Sequence, residues 1–186
     1  MLLTLIVTRA TLPDTWEMVI VNRLGPEWRA QIFFLDQGIH HVAHPSWTTF
    51  RPGEARIYCA HDHARHHGPP PAQGILPGGL ANLGRMIRES DFSLTIAQMH
   101  WPTQPGQPGV KPIAILLNAD DTPDLLTEAA RLAAGLAGCN HRVTLCSPVT
   151  PGPLFPLAAA PYLEALHALG GAIAPTLPEA AVILRL

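Results

Sequence analysis

Charge is what this chain has least of: Asp, Glu, Lys and Arg make up 14% of its 186 residues, against roughly a quarter in an ordinary globular domain. Lys111 is the single lysine, and the net charge is −2. Nothing here resembles the clustered basic face of a nucleic-acid platform, so no nucleic-acid partner is expected. Long apolar runs are missing too. None reaches the roughly 18 residues of a membrane span, which excludes a membrane partner. The apolar opening MLLTLIVTRA lacks a basic flank and a small-residue cleavage site, and reads as a buried strand rather than a signal. Cysteine is scarce: Cys59, Cys139 and Cys146 are odd in number and dispersed. They make no disulfide framework and point to a reducing, cytoplasmic setting. A surface so short of charge must hide apolar area, and an oligomer is the simplest way to do so.

What is present is 47% hydrophobic residues and 20 prolines, enough for a packed interior joined by stiff connections. Strand-like apolar runs fall at 2–8, 30–35, 55–60 and 92–97. Helical spacing falls at 15–24 and 79–90. The stretch 101–110 holds Pro and Gly without periodicity and reads as a linker. After it the pattern resumes with strands at 112–117, 142–146 and 181–186. A helix follows Asp120-Asp121-Thr122-Pro123, capped by the aspartates and closed by Gly138. A second spans 158–169, stopped by Gly170-Gly171. Strands alternating with helices predict an α/β fold with mostly parallel sheets. The shared element order of 1–100 and 111–186 suggests two related halves.

In a parallel sheet, ligands gather just beyond the carboxyl ends of the strands. Two loops are expected there. One carries His40, His41 and His44; the other carries Cys59, His61, His63, His66 and His67. Seven of the ten histidines therefore fall in two loops predicted to be neighbours. Three chemistries are open for this set. Cys59 can be a nucleophile, with its pKa lowered by Arg65 and protonatable histidines. It can join the histidines, His40, His41, His44, His66 and His67 among them, as ligands to a borderline metal. It can also be a small core residue beside solvated histidines. Trp47 and Trp101 read as packing or interface residues. No organic cofactor is expected.

Three segments carry a family likeness. FFLDQGIHHVAH (33–44), IYCAHDHAR (57–65) and GLANLGRMIRESDFSLTI (79–96) resemble the DsrE/DsrF-like family, which includes TusD-type sulfur-relay subunits. In the second segment, Cys59 and Arg65 stand at the spacing of that family's sulfur-accepting cysteine and its arginine. The resemblance implies a flavodoxin-like three-layer fold. It also implies persulfide transfer between donor and acceptor proteins, with sulfane sulfur held on Cys59 and steadied by Arg65, His61 and His63. The half 111–186 has no cysteine at the equivalent of Cys59 and would serve as a degenerate partner.

Overall fold

The alternation of side chains along the first strands decides the layering of the molecule. In β1 (Leu2–Val7) and β2 (Arg29–Phe34), Leu3, Leu5, Val7, Ile32 and Phe34 enter one core, whereas Ile6, Phe33 and, just past β2, Leu35 enter another. That is the two-residue period of a strand buried on both faces. The structure is a computed structural model and describes residues 1–12, 28–45, 47, 55–96, 109–147, 155–178 and 182–186. The helix expected at 15–24 and most of the linker, with Trp101, lie outside the described residues.

The remaining elements are β3 (Arg56–Cys59), α1 (Ala60–Arg65), β4 (Leu76–Gly78), α2 (Leu80–Glu89) and β5 (Phe92–Thr95). Then come β6 (Pro112–Leu116), α3 (Pro123–Gly138), β7 (Arg142–Cys146), α4 (Ala160–Ala168), β8 (Ala172–Ala174) and β9 (Val182–Leu184). They form two sheets of order β4-β3-β2-β1-β5 and β8-β7-β6-β9, and every pairing is parallel. The protein is therefore an α/β protein of two parallel sheets flanked by helices, consistent with a flavodoxin-like three-layer fold. The order β3-β2-β1-β5 recurs as β8-β7-β6-β9. Among the described residues no helix is long and apolar enough to cross a membrane.

The two sheets share one core. Leu83, Met86 and Ile87 of α2 and Leu126, Ala129, Leu132, Ala133 and Leu136 of α3 pack together with strand residues of both sheets. Each such aliphatic side chain contributes about 1.5–3 kcal/mol by leaving water. Gly84 lets the two helices close up, because a Cβ there would lie 2.5 Å from that of Cys139. Between the sheets, the Thr95 hydroxyl donates to the Ile183 carbonyl at 2.9 Å.

Several boundaries differ from the sequence expectation. The N-cap of α3 is Thr122, whose hydroxyl accepts from Leu125 N–H. Asp121 instead folds back onto Asn118, accepting from its backbone N–H at 2.7 Å. The helix runs through Gly138, and Asn140, at φ 67°, takes the left-handed turn. The short strands β4 and β8 carry no strand signature and were not expected. Trp47 is fully buried, edge-on to Phe34.

His141 locks the start of the second sheet. Its Nδ1 accepts from the Lys111 N–H at 3.2 Å and its Nε2 donates to the Gly84 carbonyl at 2.8 Å. Only the neutral ring satisfies both. Burial above all, with Arg88 and Lys111 adding repulsion, pushes its pKa below 6.5. The unfolded chain then binds more protons than the folded one as pH falls below the ordinary histidine value. This stabilisation is therefore complete above that value and lost as pH falls through the lowered one. The melting temperature is expected to drop between about pH 7.5 and 5.5, and His141→Gln should flatten the slope. An unchanged slope in the variant would disprove the assignment.

Candidate functional site

Cys59 ends β3 and is the residue before α1, as the sequence suggests. Its side chain, two residues on from Ile57, faces the core shared by both sheets and is 1% exposed. In that core it lies among apolar residues of α2 and α3 from both halves of the chain. Next to it α3 pairs with α1: Arg131 Nη2 donates to Asp62 Oδ1 at 2.6 Å and its Nε to Glu128 Oε2 at 2.7 Å. Arg65 Nη1 lies 3.2 Å from Glu128 Oε1, and His61 Nε2 lies 3.7 Å from the same oxygen.

The expected lowering of the Cys59 pKa is corrected by this geometry. Burial pushes the thiol up, and the adjacent Asp62 carboxylate pushes it further. A backbone hydrogen bond from Asp62 and the Arg131 charge act the other way without overcoming them. Arg65, the expected activator, is engaged by Glu128 instead.

The histidines do not converge on the sulfur. His66 accepts from Gln37 at Nδ1 (3.0 Å) and donates from Nε2 to Asp36 Oδ1 (2.8 Å). This pattern selects the Nε2–H tautomer when the Gln37 amide is the donor. His63 bonds the Pro69 carbonyl at 2.9 Å and leans on the Tyr58 ring. His41 bonds the Arg9 carbonyl at 3.0 Å, and burial lowers its pKa. His40, His44 and His67 are exposed. Of the five histidines of the metal reading, His41 has His40 and His44 as electrostatic neighbours, whereas His66 is bound to Asp36 and Gln37. Three other side chains, His61, Asp62 and Glu128, offer ligand atoms within 4.8 Å of one another. Both carboxylates already face arginine guanidiniums there.

Asp36 and Asp62 join the two loops. Asp36 stands at φ 49°, a left-handed conformation rare for a residue with a Cβ. Its N–H donates to Asp62 Oδ2 at 2.7 Å and its carboxylate receives His66. Burial raises the Asp36 pKa despite the histidine. Gly38 completes the turn, because a Cβ there would fall 2.0 Å from the Val7 carbonyl oxygen. Sequence reasoning missed Asp62, Glu128 and Arg131 as site residues. The available signal was a Glu and an Arg three residues apart beside the apolar stripe of an otherwise nearly uncharged helix.

No family model, no curated protein and no solved structure matches this chain.

Asp62 gives a direct test. Asp62→Asn removes the charge that disfavours the thiolate, so the Cys59 pKa should fall, raising the thiolate fraction about tenfold. Titrating Cβ-labelled cysteine by NMR in a Cys139→Ser, Cys146→Ser background reads this without requiring reagent access. A pKa that stays put or rises would remove Asp62 from the control of the thiol.

Proposed function

We propose that the chain is a sulfur-relay carrier of DsrE/DsrF-like type, taking sulfane sulfur onto Cys59 and passing it to a thiol of a partner protein. The observation that carries this reading is the setting of Cys59. It closes a parallel strand at the N-cap of α1, where the Arg131 charge opposes, without overcoming, the upward push of burial and Asp62 on the thiol. Thiolates and persulfide anions need such a partner. Burial and the Asp62 carboxylate hold the resting residue as a thiol, so the carrier is guarded. For the sulfur to be reached, the six-residue helix α1 must part from α3, to which Asp62–Arg131 and Arg65–Glu128 tie it.

Once exposed, the Cys59 thiolate attacks the outer sulfur of a donor persulfide. A bond forms between Cys59 Sγ and that sulfur, the donor's own sulfur–sulfur bond breaks, and the donor leaves as thiolate. The proton on the transferred sulfur travels with it. An acceptor thiolate then attacks the same outer sulfur and releases Cys59 as thiolate. Arg65 steadies the anion after Glu128 lets it go, and His61, beside the same carboxylate, helps to balance charge. His63 keeps the loop after α1 in place through Pro69. The second sheet, with no cysteine at the matching position, serves as the scaffold that supplies α3. Donor and acceptor proteins are the partners, in a reducing compartment such as the cytoplasm. Self-assembly is expected from the scarcity of surface charge.

Exposure of the purified protein to polysulfide, followed by intact-mass measurement, tests the proposal. A one-sulfur adduct should form slowly, form faster in Asp62→Asn, persist in Cys139→Ser and Cys146→Ser, and vanish in Cys59→Ser. If neither the wild type nor Asp62→Asn gains sulfur, or if the adduct survives Cys59→Ser, the carrier reading fails. An α/β module acting by binding alone would then take its place.

A further inference from the structure

A cleft of about 430 Å³ opens at the carboxyl ends of β1 and β2, beside the site of Cys59 but not lined by it. Chain topology explains its place. From β1 the chain runs outward through β2, β3 and β4, then returns to β5 on the other side of β1. The reversal falls between β1 and β5, so the residues after β1 border it and stand on the rim where open parallel sheets take ligands. Thr8 and Arg9 follow β1, Arg65 ends α1, and Thr122 and Asp124 begin the 16-residue helix α3; all five line the cleft.

One buried donor in this lining lacks an acceptor. Thr8 is 1% exposed, and its hydroxyl has no hydrogen-bond partner among the described residues. A buried polar group left unmet is destabilising, so such a group marks where a ligand atom belongs. Arg65 adds a positive charge to the lining, although its Nη1 already faces Glu128 at 3.2 Å. The third donor set is the first turn of α3. Its Leu125 N–H is taken by Thr122 and its Pro123 has none, which leaves the Asp124 N–H at the positive end of the helix dipole.

We infer that this cleft binds the phosphate group of a small phosphate ester. Thr8, Arg65 and the first turn of α3 line one cleft from three separate elements, a donor set suited to an oxyanion with several acceptor oxygens. The group itself fills a fraction of the volume and leaves room for an organic part beside Ala10, Leu125 and Leu186. Two carboxylates oppose the ligand. Asp36 lines the cleft while accepting from His66, and the exposed carboxylate of Asp124 stands on the first turn of α3, where the anion would sit. This inference shares Arg65 with the sulfur chemistry but needs no thiol, and the substitutions that test it leave Cys59 and Arg65 in place.

Inorganic phosphate titrated into the full chain at constant ionic strength, followed by calorimetry and amide NMR, tests it. Saturable binding is expected, with shifts at residues 8–11 and 122–125. The nearly isosteric Thr8→Val should weaken binding about tenfold, and Thr8→Ser should retain it. Asp124→Asn should tighten it several-fold by removing the competing charge. Absence of saturation, or affinity indifferent to both Thr8→Val and Asp124→Asn, would overturn the inference. Should Thr8→Val fail to fold, the exposed Asp124→Asn decides alone: tighter binding upholds the inference and unchanged binding ends it.

Discussion

The ion pair between Asp62 and Arg131 is the contact on which the described chemistry turns. It joins α1, at the end of the first sheet, to α3, which packs against the second, and Asp62 is 1% exposed. Forming such a pair brings little net stability, because both charges must shed water. Removing one partner is another matter, since about 3–5 kcal/mol follows from a stranded buried charge. The same carboxylate receives the Asp36 amide and presses on the Cys59 thiol. One side chain therefore sets the turn after β2, the pairing of α1 with α3 beside the cysteine and the ionisation of its sulfur.

This arrangement explains how a strand-end cysteine can be both central and quiet. Parallel sheets bring strand ends to one rim, but the pleat decides which face a given end serves. Cys59 follows Ile57 into the shared core, where α3 lies across it. Its neighbour Tyr58 faces the other way and meets His63. The polar rim was thus built by residues next to the cysteine in sequence, while the sulfur itself turned inward.

Much of the fold could be read from the chain, because long elements carry strong periodicity. The stripe Leu126, Ala129, Leu132, Ala133 and Leu136 marked α3, and LLTLIV marked β1. The three-residue strands β4 and β8 escaped notice, since Leu76-Pro77-Gly78 has no strand character and is held only by its neighbour β3. The site was less legible. Loop histidines were visible as a cluster in sequence, yet His41, His63 and His66 turned to Arg9, Pro69 and Asp36 rather than to the sulfur. Glu128 and Arg131 lie about seventy residues from Cys59, and only the docking of α3 beneath the first sheet brings them close. Composition and spacing cannot register a contact made by tertiary packing.

The outermost strand of the larger sheet has a consequence for how copies of this protein meet. Proline at the middle of β4 withholds the backbone N–H that an incoming strand would grip, and the strand spans three residues. A border so brief and so poor in donors gives a foreign chain no template for continuation. Growth of the sheet from molecule to molecule, the route by which exposed borders seed fibrils, is closed at that side by a single imino ring.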